Sequence, residues 1–254
     1  MTELPINPDV WCLPLNLTEN SLHAGSVIAR RIPDVLARML RLSGVLHAEW
    51  APLVVEVEEG LGYVVTVATA DDTESREHLE ELRGEYLLFG QLDVTEEQLW
   101  LDGRLLSRRR DEVLLYPRFA GTREAFLEWM PEWAREVAAA VRGPLPPELD
   151  ERLSQPVTRV WNAFRFYCNA LDNHASDLRD PEWEWRVMVQ VYAALENDPE
   201  LEWAAELGAE IAGGCIAAGE WEHAADLEHY MSERAPDSPA ITELRNRIRA
   251  RLSA

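Results

Sequence analysis

Three prolines and a glycine fall within six residues, Arg142-Gly143-Pro144-Leu145-Pro146-Pro147, and no regular element runs through such a stretch. Each proline lacks an amide hydrogen and fixes φ, so the run ends one element and forces a stiff turn before the next. The 254-residue chain is therefore expected to divide there, into residues 1–143 and 144–254. Before the turn, strand and helix signals alternate. After it, nearly everything carries helical periodicity.

In the first part, the apolar run from Val10 to Leu15 predicts a short buried strand. Val27, Ile28, Ile32, Val35, Leu36, Met39 and Leu40 recur at three- and four-residue spacing and predict a helix from Gly25 to Leu42, with Pro33 near its first turns. Leu53 to Val57 and Tyr63 to Ala68 read as a hairpin around Gly60 and Gly62. A short charged helix from Thr73 to Arg83 is stopped by Gly84. Strands follow over Glu85 to Val94, Gln98 to Ser107 and Glu112 to Arg118, and a helix from Thr122 to Val141 closes the part. The expected fold is α/β: a mixed sheet with antiparallel hairpins and packed helices.

The second part announces its helix starts. Asp180-Pro181-Glu182 and Asp198-Pro199-Glu200 repeat one device: an acceptor side chain for free amides, a preset φ, and an acid at the positive end of the dipole. Helices are placed at about 157–174, 181–196, 199–217, 221–234 and 239–251. Short turns between helices of that length produce antiparallel pairs, so an all-α helical-repeat domain is expected.

Charge narrows the function classes. The chain has 46 acidic and 24 basic residues, a net charge of −22, and every basic residue is Arg. Schiff-base lysine chemistry and the phosphate-binding lysine of a P-loop are thereby excluded. Nucleic acid and anionic membrane are expected to be repelled. Asp172 to Glu243 holds 18 acids against 3 Arg, a net −15, and Arg245, Arg247, Arg249 and Arg251 follow. The first seventeen residues lack the basic start and apolar run of a signal peptide, and no stretch approaches a membrane span. Cys12, Cys168 and Cys215 are odd in number, far apart and set in apolar sequence, so they read as small buried hydrophobes of an intracellular, cytoplasmic protein.

No Gly-rich phosphate loop, HExxH, paired CxxC or GxSxG elbow is present, and no cofactor or catalytic residue is expected. The histidines His23, His47, His78, His174, His223 and His229 show no metal spacing. His223 and His229 lie six apart, about 240° around a helix, on different sides. Glu182, Glu184, Glu200, Glu202, Glu206 and Glu210 include neighbours four apart, read as solvated helix faces rather than a cation site. Arg108-Arg109-Arg110 reads as a solvated hairpin tip. Trp161, Trp183, Trp185, Trp203 and Trp221 lie on predicted helices, where filling the space between helices is the expected role. Trp183 and Trp185 are two apart and cannot share a helix face.

Cys12-Leu13-Pro14-Leu15-Asn16-Leu17, Tyr86-Leu87-Leu88-Phe89-Gly90-Gln91-Leu92 and Leu99-Trp100-Leu101-Asp102-Gly103-Arg104-Leu105-Leu106 resemble the strands of the TolB amino-terminal domain family. The resemblance spans roughly residues 8 to 142, with Leu15 where that family has an aromatic. Gly219-Glu220-Trp221-Glu222-His223-Ala224-Ala225, with Pro236 beyond, is similar to the second helix of a tetratricopeptide repeat, although Glu228 stands where the repeat has an aromatic. These resemblances imply a non-enzymatic interaction or scaffold module. Its peptide-facing residues would be Glu206, Ala209, Gly213 and Ala217, and its partner a basic or mixed-charge peptide or protein. Two alternatives come from other classes: an acidic nucleic-acid mimic that occupies a basic protein, and a hydrolase that uses a carboxylate pair.

Overall fold

The computed structural model describes residues 8–18, 21, 25–51, 53–56, 63–66, 72–175 and 182–252, and the chain divides into two units, Met1–Pro156 and Val157–Ala254. In the first unit, β1 (Val10–Cys12) and β2 (Asn16–Leu17) lead into α1 (Gly25–Leu42) and β3 (Ala48–Trp50). β4 (Leu53–Glu56) and β5 (Tyr63–Thr66) form a separate antiparallel hairpin, with Leu53 opposite Thr66. Then come α2 (Asp72–Glu81), β6 (Tyr86–Val94), β7 (Gln98–Ser107), β8 (Glu112–Leu115), β9 (Arg118–Thr122), α3 (Arg123–Arg142) and α4 (Pro147–Leu153).

The described strands other than that hairpin form a seven-stranded mixed sheet. Its order is β3-β1-β6-β7-β8, with β2 also pairing β6 and β9 also pairing β7. β1 is parallel to both its neighbours, so α1 is the crossover that carries the chain from β1 to β3. β6 is apolar without alternation over Leu87, Leu88 and Phe89, as a strand covered on both faces requires. Leu87 and Phe89 join Leu13, Leu79, Ala51 and Leu106 in one cluster. Leu88, between them, points to the other face. β7 changes character along its length: it alternates exposed and buried from Gln98 to Leu101, then is buried continuously from Leu105 to Ser107. Gly90 sits opposite Gly103 with φ +157°, and a Cβ there would lie 2.2 Å from the Asp102 carbonyl oxygen, so only glycine fits.

Ile28, Ile32, Leu36 and Leu40 form the buried stripe of α1. The same helix buries Arg31, whose guanidinium lies 2.9 Å from Asp34 and 4.1 Å over the Trp50 ring. Burial pushes the Asp34 carboxyl up despite the Arg31 charge. On α3, the Thr122 hydroxyl accepts from the Ala125 amide at 3.2 Å, and Trp133 is fully buried and stacked on Trp129. Gly143 ends α3 with a positive φ of +86°, and its amide donates to Ala139. The first unit runs past the Pro-rich turn because α4 packs back on α3: Leu153 is buried, and Asp150 lies 3.7 Å from Arg135.

The second unit comprises α5 (Trp161–His174), α6 (Trp183–Asn197), α7 (Glu202–Ala218), α8 (Trp221–Arg234) and α9 (Pro239–Leu252). Its core is built from small residues and a few large ones: Ala163, Ala194, Ala204, Ala212 and Ala224 are buried with Phe164, Tyr167 and Met231. Gly208 of α7 marks the tightest approach, since a Cβ would lie 2.3 Å from the Met231 sulfur and 3.1 Å from Val191. Asp198 performs the expected start, accepting from the Glu200 amide at 3.1 Å and from the Thr158 hydroxyl at 2.5 Å, but a turn precedes the helix proper. The sister motif at Asp180-Pro181 lies outside the described residues, as does His23. No helix among the described residues is long and apolar enough to cross a membrane.

Candidate functional site

Among the described residues, the concave features of the helical unit include two with charged linings. The first is a crevice of about 200 Å³ between α7 and α9, lined by Glu206, Ala209, Glu210, Ala240, Glu243, Leu244 and Arg247. Its walls are parallel. The Glu202 carboxylate at the start of α7 accepts from the Ala240 amide at the start of α9 (2.9 Å), and Gly213 further along α7 faces the Arg247 guanidinium further along α9. Of the four peptide-facing residues expected from sequence, Glu206 and Ala209 line this crevice, Gly213 lies under Arg247, and Ala217 is exposed near the end of α7. The crevice lining combines the apolar Ala209, Ala240 and Leu244 with three carboxylates and the Arg247 guanidinium.

α8 lies behind, fastened to α9 by the residue that departs from the repeat pattern. Glu228 accepts from Arg245 at 2.8 Å and from the Ser232 hydroxyl, and Arg245 also reaches Ser232 at 2.5 Å. Arg251 sits 5.6 Å from the centre of the Trp221 ring. The arginines of the chain's end therefore fold back as α9, where two of them hold α8.

The second feature is a cavity of about 330 Å³ lined by His174, Trp183, Glu184, Glu210, Ile211, Gly214, Cys215, Ala218 and Glu220. Glu184 lies in the first turn of α6, Cys215 in the last turn of α7 and His223 in the first turn of α8, so helices that alternate in direction bring the three to one end. The turn between α7 and α8 fixes the last two. Gly219, at φ +87°, lets its own amide donate to Ile216 and the Glu220 amide donate to Cys215, closing α7 in two residues. The Cys215 thiol donates to Glu184 Oε2 at 3.4 Å, and His223 Nε2 meets Glu184 Oε1. Among the described residues, the ligating atoms of these three side chains lie within 4.8 Å of one another. Burial first, and the Glu184 carboxylate second, push the Cys215 thiol up to about 12, so it is a neutral donor at neutral pH.

Spacing within the sequence does not reveal that constellation, because its members are 31 and 8 residues apart and each belongs to a different helix. His229 pairs with Glu233 at 3.5 Å, whereas His223 falls in one cluster with Glu184 and Cys215, residues far from it in sequence. At the far side of the cavity, His174 lies 3.9 Å from Glu210, and its carbonyl accepts from the Trp183 indole at 3.4 Å. The tryptophans divide as their spacing requires: Trp161 is buried, Trp183 lines the cavity, and Trp185 is 64% exposed. Arg108, Arg109 and Arg110 form an exposed turn, with Arg110 3.7 Å from Glu112. Cys12 and Cys168 are fully buried, and burial pushes the Cys12 thiol up.

No protein-family profile and no curated protein matches the chain. Among solved structures it is similar to TolB from Acinetobacter baumannii, at 12% identity and a TM-score of 0.35, over 54% of this chain and 29% of that one. It is also similar to a PelC dodecamer from Paraburkholderia phytofirmans, at 13% identity and a TM-score of 0.29, over 57% of this chain and 84% of that one.

Proposed function

We propose that the chain is a non-enzymatic interaction module whose helical unit takes a basic or mixed-charge peptide segment in the crevice between α7 and α9. The observation that carries this reading is that Glu206, Glu210 and Glu243, from two parallel helices, line one crevice together with the apolar Ala209, Ala240 and Leu244. Cationic side chains of a peptide meet the carboxylates while its small apolar groups cover Ala209, Ala240 and Leu244. Further support comes from the order of the helices. Parallel α7 and α9 with α8 behind them is what a helical-hairpin repeat produces, and such repeats present their first helices to ligands. On its strand motifs the α/β unit is read as a relative of the TolB amino-terminal family, which adds fold and no chemistry.

The test is a titration of the full chain with a short peptide alternating Arg and Ala. The double variant Glu206→Gln/Glu243→Gln is expected to bind about tenfold more weakly than wild type, and a Glu/Ala peptide not at all. Equal affinity of wild type and variant would overturn the reading. If the chain is instead a nucleic-acid mimic, affinity falls steeply with salt and hardly responds to these two substitutions, because the whole acidic surface contributes.

A further inference from the structure

We propose that Glu184, Cys215 and His223 form a site for a borderline-soft divalent cation of the Zn²⁺ class, which staples together the adjoining ends of α6, α7 and α8. The donor set is one carboxylate oxygen, one sulfur and one imidazole nitrogen. Ca²⁺ and Mg²⁺ take oxygen ligands, whereas Zn²⁺ accepts all three donors in a tetrahedral shell. The geometry is close to what such a shell needs. Metal–sulfur and metal–oxygen bonds of about 2.3 and 2.0 Å in a tetrahedron separate those two atoms by about 3.5 Å, and Cys215 Sγ stands 3.4 Å from Glu184 Oε2. His223 Nε2 already meets the other oxygen of the same carboxylate.

The ligands are held for this purpose by the fold. Cys215 is buried and fixed by the tight Gly219 turn, Glu184 is half-buried, and His223 is exposed enough to swing its ring onto an incoming ion. Gly214, whose Cβ would meet nothing within 4 Å, leaves the cavity beside the sulfur open, with room for a water as fourth ligand. Binding is balanced as follows: the Cys215 S–H bond breaks, its proton leaves to solvent, and an S–metal bond forms. His223 parts from the carboxylate, carries its proton on Nδ1 and gives its Nε2 lone pair, and Glu184 gives a carboxylate oxygen. Two anionic ligands then cancel the dication's charge in a region whose net charge of −15 concentrates cations.

The full chain, freed of metal with a chelator, is titrated with Co²⁺ and then back-titrated with Zn²⁺. One equivalent of Co²⁺ is expected to produce a thiolate-to-cobalt charge-transfer band in the near ultraviolet, which Zn²⁺ abolishes. Cys215→Ser loses the band, while Glu184→Gln and His223→Ala weaken Co²⁺ binding about tenfold or more. His223 is exposed, so its variant tests the site even where a change at the buried Cys215 disturbs folding. His229→Ala and the crevice variant Glu206→Gln/Glu243→Gln keep wild-type metal affinity, which separates this site from peptide binding. The proposal is overturned by absence of the band in wild type, by a band that survives Cys215→Ser, or by unchanged affinity in His223→Ala.

Discussion

At Gly90 the backbone adopts φ +157°, with the Asp102 carbonyl where a side chain would begin, and no relaxation of a flexible neighbour can make room. Gly90→Val is expected to cost about 2 kcal/mol or more, from φ strain together with displacement of the β7 backbone. Urea unfolding measures it as a lower midpoint with unchanged slope. Cys215 supplies a second prediction at this scale. Its thiol is raised in the folded chain to about 12, above its ordinary value of 9.0, so the folded state holds the proton more tightly than the unfolded one. The stabilisation is complete below the unfolded value and is lost as pH climbs towards 12. With chelator present, urea stability of the wild type should decline from pH 9 to pH 11 more steeply than that of Cys215→Ala. Parallel declines would show that the thiol titrates alike in both states.

Between elements, contacts rather than propensity decide the arrangement. Arg245 joins Glu228 and Ser232 across α8 and α9, and the Glu228 side chain is only 14% exposed. Arg245→Ala leaves that carboxylate without its cation and is expected to destabilise the helical unit by about 1 to 2 kcal/mol. Hydrogen exchange should quicken in α9 more than in α6; uniform change across the unit would assign Arg245 no special role. Gly208→Leu, which pushes into Met231 and Val191, should lower the same unit's stability by about 1 to 3 kcal/mol through overpacking. Thermal unfolding checks it, and an unchanged midpoint would mean that α6 and α8 yield freely.

The elements themselves were legible wherever periodicity ran long. α1, β6, β7 and the helices from α5 to α9 follow apolar spacing, with ends shifted by a few residues. β3 was not, because three residues containing Glu49 carry no pattern, and only pairing with β1 makes them a strand. β9 fell between the strand expected to end at Arg118 and the helix expected to begin at Thr122, since Arg118-Phe119-Ala120-Gly121-Thr122 is defined by its ladder with β7. α4 was absorbed into the Pro-rich turn: Pro146 and Pro147 do end one element, but they also begin the next, Pro147 sitting at a first helical position where its missing amide costs nothing. The crevice residues Glu206 and Ala209 were reachable only through the resemblance of Gly219 to Ala225 to a tetratricopeptide-repeat helix. The Glu184, Cys215 and His223 constellation was not, because helix ends that meet in space have no fixed spacing in sequence.

At the scale of the whole chain, the net charge of −22 is organised by the fold. Carboxylates of the helical unit collect at the α7–α9 crevice and at the α6–α8 end, and Glu210 borders both. The arginines that follow the acidic segment return as α9, and Arg247 at the crevice edge confers mixed rather than purely anionic character. An acidic solvated surface attracts any cation weakly, whereas on the proposed reading a crevice lined by Ala209, Ala240 and Leu244 as well as by carboxylates would select a segment of defined shape. That difference is what a partner would sense. The most direct measurement is a map of backbone amide shifts on addition of the Arg/Ala peptide to the full chain at moderate salt. The peptide-binding account predicts saturable changes concentrated at Glu206, Ala209, Glu210, Gly213, Ala240, Glu243 and Arg247. Changes spread evenly over residues 182–252, or none at saturating peptide, would contradict it.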